Sequence, residues 1–360
     1  PEEDIKLISV CTKGVESQFD NLIDQIIKGS YRYGGIEKTF SIKLLKHKKI
    51  IVEKPEDYIN SINNFLSDLQ SNKSIFLVYA PEKGYSRFNY KSPYYQVKRL
   101  LLEKGYPSQM VDESTLADPK FKDLNLALDI YAKLGYTPWV LSEGFPDVDL
   151  FIGLSYSSIV DLGGIKRIIG YINVFDRMGR WRFYKGNSKF YDFEERKKHL
   201  TSLISETVLQ INKERKIKKI HIQHSHKLSA DIKESIYQEL AKIIPQIELF
   251  FVWINDKTPI RLYDDSLYSD GSLSRGSYVV TSLNQFYIST TGYNQLKQKG
   301  MGTPKVLEVN IDIIPNSLVI DPKLVAQHIL SLTKLNWAST KSFCHLPITL
   351  KYANDIAYLM

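Results

Sequence analysis

The chain has 360 residues, enough for two domains of ordinary size, each with a buried core. Its 48 Lys and Arg outnumber its 40 Asp and Glu, and the net charge of +8 suits a polyanionic partner without requiring one. Two cysteines are too few for a disulfide framework or a cysteine-based zinc cluster, so we expect a reducing, cytoplasmic setting. No segment approaches the roughly 18 apolar residues of a spanning helix, so membrane insertion is not expected.

Strand and helix patterns alternate in the first part of the chain. The predicted strands are "IKLISVC", "KKIIVE", "SIFLVYA" and "TPWVL", and the predicted helices cover 16–28, 55–70, 92–104 and 120–134. Such alternation is typical of parallel-sheet α/β units. The turn-rich stretch "SEGFPDVD" is the predicted boundary, which gives domains of residues 1–146 and 147–360.

The second part begins differently, with three consecutive predicted strands at 149–155, 167–175 and 180–185 before a long helix at 195–213. Further strands are predicted at "IKKIHIQ", "IELFFVWI", "SYVVTS" and "KVLEVNI", with helices at 229–243, 322–334 and 348–360. This order predicts a meander followed by α/β units. The expected fold class of the whole chain is therefore α/β.

A candidate phosphate site lies in the first part. Tyr94 and Lys98 are four residues apart on a predicted helix and share one face, with Gln109 after that helix and Lys133 at the end of the next. A ring that can stack beside an ammonium group suits a terminal nucleotide and its phosphate. The alternative is a basic amphipathic helix with Tyr94 half-buried. Tyr94, Lys98, Gln109 and Lys133 are called the phosphate-binding set below.

In order and helix context, this set resembles the pocket for the guide 5′ phosphate in the MID domain of Argonaute proteins, and "KLGYTPWVL" after it agrees. The resemblance implies that the Tyr stacks on the first base while the two Lys and the Gln hold the phosphate. It continues in "GMGTPKVLEVNI" and "LTKLNWASTKSFCHLPITLKYANDIA", which implies a Rossmann-like MID domain followed by a ribonuclease H-like PIWI domain. Backbone contacts to guide or target are implied for Thr303, Lys305, Asn336, Ser339 and Lys341.

Active PIWI domains hold two metal ions with acidic side chains. In the family, the first catalytic Asp stands at the end of a strand of the type "IGxD", and this chain has Ser155 at that position. By register, Ser225 stands at the position of the second catalytic Asp. Asn354 stands at the fourth position, and Glu194 or Glu195 could occupy the Glu position. The resemblance therefore implies a PIWI domain that has lost its catalytic acids.

The chain looks most like the short prokaryotic Argonautes, which lack a PAZ domain and do not slice. That resemblance implies a 5′-phosphorylated guide, RNA or DNA with RNA expected, that pairs with invader DNA. It also implies an APAZ-containing partner protein, a defence effector, and Mg²⁺ at the guide 5′ phosphate. Sequence alone does not distinguish RNA from DNA guides, because this depends on contacts to the 2′-hydroxyl.

Two functions of other classes stay open. One is an active guided nuclease with unconventional ligands, for example His224, Asp355 and Glu195. The other is a guide-independent scaffold of a defence complex, in which the pocket would be vestigial. Metal sites at "HIQHSH" (221–226) or "DDSLYSD" (264–270) are less consistent with ligand geometry, because strand alternation separates the histidines and the second stretch has no closing Glu.

Overall fold

The computed structural model shows that the chain forms two compact units. It describes residues 4–30, 33–67, 69, 73–81, 91–119, 122–155, 157–161, 164–168, 172–186, 190–191, 193–266, 271–292, 303–315, 319–338, 343–357 and 359. The first unit comprises the described residues of Pro1–Pro138, Trp337–Lys341 and Leu359, and the second those of Trp139–Asn336 and Ser342–Tyr358. The main division precedes the turn-rich stretch 142–149, and the assignment of domains to 1–146 and 147–360 stays a prediction.

The first unit is built on a four-stranded sheet. Its strands are β1 (Asp4–Thr12), β2 (Lys43–Val52), β3 (Ser74–Ala80) and β4 (Ser108–Asp112). They lie in the order β2-β1-β3-β4, and each neighbouring pair is parallel. A 3-10 helix covers Pro55–Asp57, and the α-helices are α1 (Glu16–Lys28), α2 (Ile36–Phe40), α3 (Tyr58–Leu66), α4 (Pro93–Glu103), α5 (Glu113–Ala117) and α6 (Asp123–Lys133).

Helices cover both faces of this sheet. Alternate strand residues point to opposite faces, so Ile5 and Leu7 of β1 pack with α1, α2 and α6, whereas Ile8 and Val10 pack with α3 and α4. Every residue of β3 is buried, as expected for a parallel strand covered on both sides. This is the Rossmann-like arrangement that the resemblance implied.

The second unit contains an eight-stranded mixed sheet and a small antiparallel sheet. Its strands are β5 (Leu150–Leu154), β6 (Ser157–Asp161), β7 (Gly164–Ile168), β8 (Ile172–Asp176), β9 (Trp181–Lys185), β10 (Phe190–Tyr191), β11 (Lys219–His224), β12 (Glu248–Asn255), β13 (Tyr278–Ser282), β14 (Gln285–Ile288) and β15 (Leu307–Ile314). The large sheet has the order β13-β14-β15-β12-β11-β5-β8-β9, and the small one β10-β7-β6.

Within the large sheet, β5, β8 and β9 are antiparallel neighbours, as in the predicted meander, but β6 and β7 come between β5 and β8 in the chain and belong to the small sheet. Strands β5, β11 and β12 are parallel. The helices are α7 (Phe193–Glu214), α8 (Ala230–Ile243), α9 (Pro322–Leu332) and α10 (Ile348–Ala357). Helices α7 and α8 pack on one face through a core that includes Leu150, Ile152 and Ile222. None of the helices in the described ranges is both long and apolar enough to cross a membrane.

The strand predicted at "TPWVL" is wrong, because residues 137–141 are irregular. Their hydrogen bonds go to other irregular segments: Trp139 Nε1 donates to the Lys334 carbonyl at 3.0 Å, and the Leu141 amide donates to the Met178 carbonyl at 3.1 Å. Strands β4, β6, β7, β10 and β14 were not predicted as separate strands. They have two to five residues each, so their apolar periodicity is weak.

Candidate functional site

Helix α4 presents Tyr94 and Lys98 on one side, as predicted. The helix begins where Ser92 Oγ accepts a hydrogen bond from the Tyr95 amide at 3.2 Å, and a proline occupies its first turn. Tyr94 is half-buried against the core between α3, α4 and the sheet. Because residues four apart are neighbours on a helix, Lys98 lies one turn beyond the ring.

The start of β4 connects the remaining members of the phosphate-binding set. Lys98 Nζ donates to the Ser108 carbonyl at 2.8 Å. Gln109, the next residue, is buried, and its Nε2 donates to the Met110 carbonyl at 2.9 Å. Its Oε1 accepts a hydrogen bond from Lys133 Nζ at the end of α6. The structure therefore brings Lys98, Gln109 and Lys133 together around two consecutive residues of one strand.

Lys133 has a second neighbour that the sequence analysis missed. Asp129, one turn earlier on α6, places its Oδ2 3.8 Å from Lys133 Nζ. The two side chains are 22% and 33% exposed, so the pair is partly screened from solvent. The four-residue spacing on a predicted helix is the signal that could have identified Asp129.

This arrangement is suited to an anion with several oxygens. Two ammonium groups supply up to six N–H donors, and hydrogen bonds from charged donors to phosphate are stronger than neutral ones. The half-buried Tyr94 ring adds a surface on which a base can stack. A merely solvated basic helix face would not direct its lysine towards a buried strand, as Lys98 is directed towards Ser108.

In the second unit, Ser155 and Ser225 follow two neighbouring parallel strands. They follow directly on strands β5 and β11, whose last paired residues are Leu154 and His224. Ser155 is 3% exposed, and Ser225 Oγ lies 3.1 Å from His226 Nδ1. The carboxyl ends of these two parallel strands thus present two hydroxyl groups rather than two carboxylates.

Helix α10, which carries Asn354, packs across β5, β8 and β11. The approach is close at Gly153, where an added Cβ atom would lie 2.2 Å from the Thr349 carbonyl oxygen. Alternation along the strand places Ser155 on the same face as Gly153, towards α10. The three positions at which acids are expected to be lost therefore belong to one region of the second unit.

Asp147 and Asp149, the acids that precede β5, have structural partners. Asp149 Oδ2 accepts hydrogen bonds from the amides of Lys218 and Lys219 at 2.8 and 3.0 Å, which fixes the start of β11. Asp147 Oδ2 lies 3.1 Å from Nε2 of the buried His328. Burial alone would raise the pKa of Asp147, but the hydrogen bond and charge of His328 outweigh it and lower the pKa.

The histidines of "HIQHSH" do not converge on a metal site. His221 is fully buried, with its ring centre 4.9 Å from that of Phe250 and 4.8 Å from that of His328. His224 is 1% exposed, and its Nδ1 pairs with the His226 carbonyl at 2.8 Å. Across the described part of the chain, no group of three or more His, Cys, Asp or Glu could hold a metal ion. Asp270, the last acid of 264–270, lies outside the described residues.

The residues considered for an unconventional nuclease differ in their surroundings. His224 is buried, and burial lowers its pKa to about 4. Glu194 and Glu195 are exposed in the first turn of α7, and Asp355 Oδ2 accepts a hydrogen bond from Lys351 Nζ at 2.7 Å.

The residues predicted to contact a nucleic-acid backbone are placed only in part. Lys305 is exposed and Thr303 is half-buried. Asn336 is 8% exposed, and its buried Oδ1 has no hydrogen-bond partner in the described structure. Ser339 and Lys341 lie outside the described residues. Their role in backbone contact stays a prediction.

The chain aligns with Argonaute proteins. It is 27% identical over 267 residues to the protein argonaute of Aquifex aeolicus, an alignment that covers 73% of this chain and 35% of that protein. With the protein argonaute of Cereibacter sphaeroides it shares 23% identity over 299 residues, covering 75% of this chain and 38% of that protein. No protein-family model matches the chain.

Solved structures share the fold across the whole chain. The crystal structure of A. aeolicus Argonaute has a TM-score of 0.69 at 20% identity, covering 99% of this chain and 48% of that one. A structure of Aquifex Argonaute with externally bound siRNA has a TM-score of 0.67 at 20% identity, covering 100% of this chain and 48% of that one. For Drosophila Piwi the TM-score is 0.74 at 15% identity, with 98% and 48% covered.

The fold is therefore that of an Argonaute MID–PIWI pair, Rossmann-like and then ribonuclease H-like. The chain is a homologue of the prokaryotic Argonautes. It spans 35% and 38% of the lengths of the two curated relatives.

Proposed function

We propose that the protein binds a guide strand, with RNA expected, by its 5′ phosphate and presents it for pairing with target DNA. The observation that carries the proposal is the convergence of Lys98, Gln109 and Lys133 at the start of β4. In the proposed complex these three groups hold the phosphate, and Tyr94 stacks on the first base. Base pairing then reads the target sequence, while the protein holds mainly backbone.

The relatives support a nucleic-acid ligand. Both curated relatives are Argonautes, and the Aquifex protein has been crystallised with externally bound siRNA. The net charge of +8 favours association with a polyanion.

We further propose that the protein does not cut the target. Hydrolysis by two metal ions needs anionic oxygen ligands, and Ser155, Ser225 and Asn354 supply none. A guided protein without cleavage needs another output. The proposed output is a signal to an effector through an APAZ-containing partner, in prokaryotic defence.

The described members of the phosphate-binding set do not by themselves form a site for Mg²⁺ at the guide phosphate. The groups that face the proposed phosphate are two ammonium groups and an amide, and Mg²⁺ prefers several oxygen ligands. The carboxylate of Asp129 is already paired with Lys133. The binding step proposed here therefore uses the protein's own cations.

The test is the loss of guide affinity in Lys98→Ala and Lys133→Ala. Each variant removes one charged hydrogen bond to phosphate, so the dissociation constant of a 5′-phosphorylated guide should rise about ten- to a hundredfold. The slope of log affinity against log salt should fall by about 0.7 in each variant, because one lysine no longer neutralises the phosphate. Fluorescence anisotropy with a labelled guide measures both quantities.

Lys28→Ala is the matched control. Lys28 is the last-turn lysine of α1 and pairs with Asp24 at 3.5 Å, as Lys133 pairs with Asp129 on α6. The control should bind the guide like the wild type. Unchanged affinity in both pocket variants would remove the phosphate-binding set from the proposed function.

A further inference from the structure

Helix α6 ends with a carboxylate beside a lysine of the phosphate-binding set. Asp129 Oδ2 is 3.8 Å from Lys133 Nζ, and both side chains are partly buried. Lys133 Nζ also donates to Gln109 Oε1, so without a guide this ammonium group already has an amide acceptor and a carboxylate ion-pair partner. A phosphate that binds Lys133 must therefore share it with, or take it from, Asp129.

The two anions repel each other. A terminal phosphate carries about −1.5 to −2 charges at neutral pH. If it contacts Lys133 Nζ, it comes within a few ångströms of Asp129, and like charges at this distance repel each other in water and repel more strongly where water is partly excluded. Lys98 Nζ donates a hydrogen bond to the carbonyl of Ser108.

We propose that Asp129 sets the affinity of the pocket by competing with the guide phosphate for Lys133. This inference depends on the proposed function, because it assumes that the phosphate-binding set holds a guide. With Asp129 in place, Lys133 alone holds a phosphate weakly, and firm anchoring needs Lys98 and Gln109 as well. Such a pocket selects a correctly seated 5′ phosphate over internal phosphates that reach only one lysine.

Asp129→Asn tests the competition directly, because it removes the charge and keeps the shape. The affinity for a 5′-phosphorylated guide should rise about fivefold, and the affinity for the same guide with a 5′ hydroxyl should stay unchanged. Both guides are measured by anisotropy in EDTA and again with Mg²⁺. Thermal unfolding confirms that the variant is folded, and Asp129→Ala should show the same direction.

Asp24→Asn is the matched control. Asp24 lies 3.5 Å from Lys28 with the same spacing in the last turn of α1, but outside the phosphate-binding set. This variant should leave both guide affinities unchanged, even if it lowers stability through the loss of its second partner, Lys46.

Equal or weaker binding of the phosphorylated guide by Asp129→Asn would overturn the competition. If the binding is weaker only with Mg²⁺, Asp129 is instead a ligand for a cation that bridges to the phosphate, and the competition is again overturned. If wild-type protein does not distinguish the two guides, the proposed function fails and this inference fails with it. A phosphate preference in the wild type with no effect of Asp129→Asn contradicts this inference alone.

Discussion

At the residue level, Gln109 is the centre of the phosphate-binding set. Its buried side chain donates a hydrogen bond to the Met110 carbonyl and accepts one from Lys133. The carbonyl of the neighbouring Ser108 accepts a hydrogen bond from Lys98. The sequence identified Lys98, Gln109 and Lys133 through their order and helix context. It could not place them around one strand, because β4 itself was not predicted.

Other residue pairs were inaccessible to sequence reasoning for a physical reason. Asp147 and His328 meet through the packing of α9, although the chain between them is long. The ends of β5 and β11 were predictable, but the adjacency of Ser155 and Ser225 depends on strand order in the sheet. Local sequence patterns predict where strands and helices form, whereas the order of strands in a sheet is set by packing over the whole domain.

Buried His224 makes stability depend on pH. Burial lowers its pKa in the folded protein to about 4 from an ordinary 6.5, so between these values the unfolded chain binds more protons. The free energy of unfolding should therefore fall as pH falls, by about 3 kcal/mol over this window for this residue. Burial also lowers the pKa of His221 and His345, which adds to the same trend.

Urea unfolding at pH values of about 7.5, 6 and 5 measures the slope of the free energy of unfolding against pH. His224→Asn keeps a donor for the His226 carbonyl and removes the titrating ring, so its slope should be shallower than that of the wild type. A slope identical to that of the wild type would show that His224 does not couple folding to protons.

At the level of elements, the long and strongly patterned segments were predicted well and the short ones were not. Helix α7 was predicted at 195–213 and spans Phe193–Glu214, and α8 was predicted at 229–243 and spans Ala230–Ile243. Long amphipathic helices repeat their apolar periodicity over several turns, so the pattern can be distinguished from a random sequence. The segment "TPWVL" has a β-rich composition, but the Trp139 side chain and the Leu141 amide donate hydrogen bonds to other irregular segments, and these tertiary contacts decided its conformation.

The contact between α10 and β5 gives a stability prediction. In Gly153→Ala the new Cβ would lie 2.2 Å from the Thr349 carbonyl oxygen, so the helix or the strand must shift. We expect the free energy of unfolding to fall by about 1–3 kcal/mol, the usual cost of overpacking. Gly34→Ala is the control, because its Cβ would meet the flexible side chain of Lys38 at 3.0 Å.

Urea unfolding of both variants decides this point. Gly34→Ala should stay within about 0.5 kcal/mol of the wild type. If Gly153→Ala is equally neutral, α10 does not pack tightly on β5, and Ser155 and Asn354 would not share one region of the second unit.

At the level of the whole molecule, two features fit a guided sensor. In the first unit, Lys98 and Lys133 bond to two consecutive residues at the start of β4, and in the second, serines follow two strands of a ribonuclease H-like sheet. The chain covers 48% of the A. aeolicus Argonaute and Drosophila Piwi structures that share its fold. The proposed absence of cleavage is the reason for proposing a separate effector.

The most direct test is equilibrium binding of one RNA strand with a 5′ phosphate or a 5′ hydroxyl to the wild-type protein, followed by addition of matched labelled target DNA and Mg²⁺. We expect the phosphorylated strand to bind at least about tenfold more tightly, because each charged hydrogen bond to phosphate contributes about 1.5–3 kcal/mol, and we expect the target to stay intact. Equal binding of the two strands would contradict guide anchoring by Lys98, Gln109 and Lys133. Cleavage of the target would contradict the loss of catalysis at Ser155 and Ser225.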